Sequence, residues 1–291
     1  MDILQLAVSG LANGCIYGLI ALGFVLIYKA TEQVNFAQGD LMMLGAFIAL
    51  GLGNASHMGA PFWVACAGAI LAMAAIGWLL ERAVLRPVLG QPQIAVMILT
   101  IALGFVLRFL AGAIWGHDPL ALETPIAGAN LRVGGLILGA DEIAAIVVTL
   151  LLTGLLFVFF SRTRLGVAMQ ASSQNQLAAY YMGIPVKRIQ GLTWALAGAT
   201  AAVAGILFAS KGSIDPGTGF LGIKAFAAAV IGGFGSLPGA LAGGLIVGLI
   251  EPFASRYVSA GYAQIAPYAV MILVLIVRPH GIFAQVRAKK V

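Results

Sequence analysis

The chain has 291 residues, of which 61% are hydrophobic and only 9% charged, with a formal net charge of +6. A soluble domain carries about 25% charged residues, so the few charges here cannot clothe a water-facing surface. That excludes a soluble globular domain and leaves lipid as the solvent, and the modest positive charge does not point to nucleic acid.

Met1-Asp2-Ile3 has neither the positive start nor the small-residue cleavage site of a signal peptide, so the first apolar segment is expected to be retained. Asp, Glu, Lys and Arg are absent from 3–28, 41–80, 87–107, 143–161, 189–210, 225–250 and 257–277. A spanning helix needs about 20 apolar residues, and low charge with weak alternation favours helices over a β-barrel. The expected fold is an all-α membrane protein, one domain over 1–291, with about nine spans. They fall at roughly 4–28, 38–54, 61–80, 93–114, 139–160, 190–210, 220–235, 238–256 and 264–278. The seventh is short and glycine-rich, which predicts a broken or re-entrant helix and leaves eight or nine crossings.

Basic residues favour the cytoplasmic side of a membrane. With the N-terminus outside, the cytoplasmic segments are 29–37, 81–92, 161–189, the turn near 236, and 278–291. They hold Lys29, Arg82, Arg86, Arg162, Arg164, Lys187, Arg188, Arg278, Arg287, Lys289 and Lys290, which are 11 of the 16 basic residues. The outer side takes Asp118, Glu123, Asp141, Glu142 and Asp215, with its longest loop at about 115–138. A shift of 180 residues aligns Gly18 with Gly198, Ala21 with Ala201, Gly39 with Gly219 and Leu41 with Leu221. The two copies start on opposite sides, which would make an inverted repeat.

Gly10, Gly14 and Gly18 repeat every four residues, as do Gly235, Gly239 and Gly243, with Gly232 and Gly233 just before. Small residues at that spacing let helix backbones approach closely. They serve either tight packing alone or helices that line a pathway. Asn13, Asn35, Gln38 and Asp40 are expected to face protein or the pathway, because lipid-facing amides are costly. Arg108 has apolar residues on both sides, and is expected to snorkel outward or to pair with an acid such as Glu142. Lys224 and Glu251 are placed near external ends, as snorkelling or contact residues. Cys15 and Cys66 read as small apolar residues. His57, His117 and His280 read as solvated, and no metal site is expected.

The segment 161–189 is long for a loop between packed helices. Residues 167–182 read as amphipathic, with Val167, Ala171, Ala178 and Met182 on one face, and Gly183 and Pro185 end the pattern. A short helix or two is expected, either lying on lipid headgroups or docking a soluble partner.

Leu177-Ala178-Ala179-Tyr180-Tyr181-Met182-Gly183-Ile184-Pro185 resembles the E-A-A-x-x-x-G coupling loop of ABC importer permeases. Lys224-Ala225-Phe226-Ala227-Ala228-Ala229-Val230-Ile231-Gly232-Gly233-Phe234-Gly235-Ser236-Leu237-Pro238-Gly239-Ala240 resembles the branched-chain amino acid permeases of the LivH type. So do Gly10-Leu11, Gly14, Tyr17-Gly18-Leu19 and Val34-Asn35-Phe36-Ala37-Gln38-Gly39-Asp40. Leu177 departs from the pattern, standing where the coupling loop has Glu.

The resemblance implies a type II-like ABC importer permease in a bacterial inner membrane. It implies two permease subunits, identical or related, a substrate-binding protein outside, and two ATPase subunits that bind ATP and Mg. Arg162, Arg164, Gly166, Ala178, Ala179, Gly183 and Pro185 become coupling residues. The chain has no G-x-x-x-x-G-K-[ST], so it is expected to bind no cofactor itself and not to be an enzyme. The implied cargo is a branched-chain or other apolar amino acid. The rivals are urea, short amides or small carboxylates on the same machinery, or a transporter or channel working alone, which would need acids in mid-membrane.

Overall fold

The computed structural model describes residues 2–54, 57–88, 91–126, 128–133 and 136–283. Arg287, Lys289 and Lys290, counted above on the basic side, lie outside the described residues.

Helix α1 (Asp2–Thr31) is apolar on every side and is the centre of the fold: 89% of its span is buried, against 22% for the span of α5. A helix that is apolar all round is either core or membrane span, and α1 is both. Then come α2 (Gln38–Gly53), α3 (Phe62–Leu80) and α4 (Gln93–Trp115). Helix α3 runs on into a wider π turn at Glu81–Leu85 and then a tighter 3-10 turn at Arg86–Val88. Helix α5 (Ala140–Arg162) leads into the short α6 (Arg164–Gln174) and α7 (Gln176–Tyr181). Helix α8 (Val186–Lys211), a 3-10 turn at Pro216–Phe220, α9 (Leu221–Gly232), α10 (Leu237–Tyr257), α11 (Ala260–Ala263) and α12 (Ala266–Val277) complete the chain.

Among the described residues six helices are long and apolar enough to cross a bilayer, which makes the chain a multi-pass membrane protein. The other three expected spans fall on shorter apolar helices, Gln38–Gly53, Pro216–Gly232 and Gly261–Val277. At 1.5 Å per residue α9 reaches only about 18 Å and α2 about 24 Å, short of the roughly 30 Å of bilayer hydrocarbon. Both start inside the bundle. There Gly39 of α2 meets Gly222 of α9 so closely that a Cβ on Gly39 would lie 2.6 Å from the Gly222 Cα.

The all-α expectation needs a correction. Strand β1 (Leu120–Ala121) pairs antiparallel with β4 (Ser213–Ile214), and β2 (Asn130–Val133) pairs with β3 (Leu136–Gly139) in register Asn130 to Gly139. The long loop thereby pairs backbone groups within itself and with the segment after α8, groups which a helix-only fold would leave unpaired. These strands lie at one end of the bundle, where the Gln5 amide brackets the Ile137 backbone, accepting from its N–H at 3.2 Å and donating to its carbonyl at 2.6 Å. Helices α6 and α7 lie at the other end, where Gln176 Nε2 donates to the Ala30 carbonyl at 3.2 Å.

The packing is reciprocal. Helix α1 lies along α10 as α8 lies along α3; α1 touches α9 as α8 touches α2; α2 touches α4 as α9 touches α12. Helices α1 and α8 pack against each other and run in opposite directions, since Lys211 at the end of α8 reaches Asn13 near the start of α1.

Candidate functional site

Charged side chains inside the bundle draw attention first, because bare charge in hydrocarbon is costly. Asp40, in the first turn of α2, is 2% exposed. It takes both Nε (2.5 Å) and Nη2 (3.3 Å) of Arg108. The expected outer partner of Arg108, Glu142, is thus replaced by an acid 68 positions earlier in the chain. Arg108 sits about two turns inside the end of α4, out of easy reach of water, so it pairs within the bundle rather than snorkelling. Its guanidinium also covers the ring of Phe220, with Cζ 3.6 Å from the centroid. Gly104 and Gly219 leave room for the Asp40 carboxylate on two sides. Asn35 and Gln38 are buried beside it: Asn35 Oδ1 accepts from Ala37 N at 3.1 Å, and Gln38 Nε2 donates to the Ala197 carbonyl of α8 at 3.2 Å. These amides face protein.

A second ion pair joins Lys224 of α9 to Glu251 of α10, and Tyr17 of α1 donates to Glu251 Oε2 at 2.7 Å. The residues expected to snorkel at external ends therefore meet each other, because α9 begins within the bundle and carries Lys224 inward with it. Asn13 accepts from Lys211 Nζ at 2.7 Å. The three expected solvated histidines, His57, His117 and His280, are exposed, and the described residues contain no cluster of metal-ligand type. Cys15 and Cys66 are free thiols.

The glycines divide by role. Cβ atoms on Gly10 and Gly14 would lie 2.9 Å from the Gly248 carbonyl oxygen and 2.8 Å from the Leu245 Cα, and one on Gly18 would press Leu241 at 2.9 Å. These three seat α1 on α10. Gly232, Gly239 and Gly243 bring α9 and α10 together, where a Cβ on Gly243 would lie 2.8 Å from the Gly232 nitrogen. Gly233 turns the chain with φ +95°, and Gly235 has open space around it. Ile282 and Phe283 close the end of α9 by donating to the Ile231 and Gly232 carbonyls.

The end opposite the strands carries the exposed basic residues Arg162 and Arg164. Thr163 caps α6 by accepting from Gly166 N at 2.9 Å, and Asn175 caps α7 by accepting from Ala178 N at 2.9 Å. Gly166 lies against α5, where a Cβ would come 2.6 Å from the Phe160 Cα. Gly183 ends α7 at φ +81°; its N–H bonds the Tyr180 carbonyl and that of Ile184 bonds Ala179, the paired closure of a Schellman turn. Pro185 then starts α8.

The expected amphipathic face is not the buried one. Gly166, Met169, Ser172 and Ala179 are buried, whereas Val167, Ala178 and Met182 are exposed. The cap at Asn175 breaks the run into two helices, so no single face continues through it. Leu177, Tyr180, Tyr181 and Met182 stand out as an exposed apolar surface. A cavity of about 630 Å³ opens between α1, α5, α6 and the turn before α10, lined by Tyr28, Phe160, Gln170, Phe234 and Ser236 among others.

Charge kept inside the bilayer on paired side chains is a mark of proteins that move solutes rather than anchor to membranes, and this chain is a polytopic membrane protein of that class. Residues 6–275 match the family described as branched-chain amino acid transport system, permease component. The chain belongs to that family. It is 34% identical to the high-affinity branched-chain amino acid transport permease protein BraD of Pseudomonas aeruginosa, over 99% of this chain and 98% of that protein. It is also 34% identical to the corresponding protein LivH of Escherichia coli K12, over 99% of this chain and 97% of the relative. Among solved structures, PsaBC from Streptococcus pneumoniae in complex with Fab has a similar fold, with a TM-score of 0.52 at 16% identity over 96% of this chain and 93% of that one.

Proposed function

We propose that the chain is the permease subunit of an ATP-driven ABC importer that carries branched-chain amino acids across a bacterial inner membrane. The observation that carries this reading is the family match over 6–275, with near full-length relatives named for that transport. The end bearing α6 and α7 is the cytoplasmic one, in keeping with its Arg82, Arg86, Arg162, Arg164, Lys187 and Arg188. The strand-bearing end, with Asp118, Asp141, Glu142 and Asp215, receives a substrate-binding protein.

Two permease subunits enclose the pathway, and two ATPase subunits dock on α6 and α7. The exposed Leu177, Tyr180, Tyr181 and Met182 give that contact an apolar centre, and Arg162 and Arg164 give it a basic edge. Capped at Thr163 and Asn175 and closed at Gly183, these helices are stiff enough to transmit displacement. The reciprocal packing of α1 to α4 against α8 to α12 supports an inverted repeat. On that reading α2 and α9 count as the seventh and eighth apolar segments and α12 as the ninth, with α2 and α9 beginning in mid-membrane.

Reconstitution of the chain with its companion permease and ATPases in proteoliposomes, with the binding protein outside, tests the proposal. ATP-dependent accumulation of labelled leucine is expected. A complex that hydrolyses ATP and carries urea or a small carboxylate but not leucine would sink the cargo assignment.

A further inference from the structure

The charged contacts within the bundle differ in kind; Glu81, 2% exposed, pairs with Arg86 at the end of α3, and three others lie further along the helices. Asp40 and Arg108 form a clamp closed at its acid: the carboxylate is 2% exposed and held by two guanidinium nitrogens, while the arginine keeps 18% of its surface open with an aromatic ring against it. Lys211 meets the neutral Asn13 at the end of α8. Lys224 and Glu251 are different because the acid is open as well as the base. Their side chains keep 16% and 20% of their surface open, although both lie within helices of the bundle. Glu251 stands six residues before the end of α10, about 9 Å inside it. Lys224 is in the first turn of α9, which starts at the deep Gly39 to Gly222 contact. Tyr17, from the middle of α1, donates to the carboxylate.

An ion pair with both partners left partly open at this depth cannot face lipid, because charge exposed to hydrocarbon is costly. Its open side therefore meets water or the second permease subunit, and either one places it at the pathway that the two subunits enclose. The two ions need not be held rigidly: lysine is a point charge on a flexible stem, unlike the arginine fork of the closed clamp. Pro252 follows Glu251 and has no N–H for the Gly248 carbonyl, which loosens α10 beside the carboxylate.

We infer that Lys224, Glu251 and Tyr17 form a transit site for the zwitterionic head of an amino acid. Lys224 meets the substrate carboxylate, Glu251 meets its ammonium, and Tyr17 holds Glu251 in place. An amino acid entering the bilayer sheds water from both charged groups, a large penalty unless each finds a partner. The resting pair supplies both signs, and exchanging one ion pair for two leaves no charge bare. The aliphatic side chain needs no such site. The inference rests on the amino-acid cargo proposed above.

The test is leucine uptake by the reconstituted complex carrying Lys224→Met, Glu251→Gln or both, read beside ATP hydrolysis stimulated by the binding protein. Each single variant is expected to slow uptake by at least about tenfold, with stimulated hydrolysis within about twofold of the parent. The double variant is decisive and guards against misfolding, since it leaves no unpaired charge. A merely structural pair replaced on both sides by neutral groups recovers, whereas a transit site does not. Normal uptake by the double variant would overturn the site alone. Absence of leucine uptake by the unmodified complex would overturn the cargo, and the site's substrate with it.

Discussion

Gly183 shows how much one position can decide. Its φ of +81° is reached freely only without a Cβ, yet nothing lies within 4 Å of where a Cβ would stand. The constraint is conformational, not steric. Gly183→Val is therefore expected to strain the α7 to α8 turn by about 1–2 kcal/mol, and Gly183→Asn to be nearly harmless, since Asn visits this region. Co-purification of the ATPase with each variant checks this, and equal retention by both would remove the turn from the coupling argument. Asp40 and Arg108 make the opposite case, where contact is everything. Arg108→Met leaves a buried carboxylate alone and is expected to cost about 3–5 kcal/mol, seen as a lower Tm in detergent. Adding Asp40→Leu should restore most of that loss. That Arg108 needs a partner is legible from its apolar flanks. Which partner it takes is not, because Asp40 lies 68 positions away and only the packing of α2 on α4 brings it near.

Among the elements, the contact of α1 with α10 depends most on missing side chains. In lipid no hydrophobic force drives helices together, and close packing does the work. Gly14→Leu would push its branches into the backbone at Leu245, and is expected to cost about 1–3 kcal/mol. Gly154→Leu on α5, where nothing lies within 4 Å, is the matched control. The yield of folded protein by size exclusion separates them, and equal yields would mean that the glycine seat is dispensable. The glycine spacing is readable in the sequence because it is local to one helix. The break at Asn175 is harder to see. An asparagine inside an amphipathic run reads as part of the polar face until its side chain is found capping Ala178 N. The strands β1 and β4 are illegible for the same reason as the Arg108 partner: each is two residues long and exists only because the other is adjacent.

At the scale of the whole molecule, charge-free length is the strongest signal, and it locates every apolar helix. It cannot say where along the membrane normal a helix begins. Segment 38–54 reads as a full span and 220–235 as a short span or a broken, re-entrant helix, and both α2 and α9 start deep in the bundle and are shorter than a bilayer is thick. The four matches at an offset of 180 include Gly39 with Gly219, and the structure brings these two to one place, where the Gly219 carbonyl abuts Gly39. Repetition in sequence and proximity in space coincide there.

That meeting point has a consequence for biosynthesis. A helix too short to cross cannot be threaded through the lateral gate as an independent unit, and the start of α2 carries Asn35, Gln38 and Asp40. Ala197 and Arg108, the partners of Gln38 and Asp40, are translated later, and so is Gly222, which Gly39 meets and which follows α8. During synthesis the polar start of α2 therefore precedes every one of these contacts, and its final seating is expected to wait for the arrival of α9.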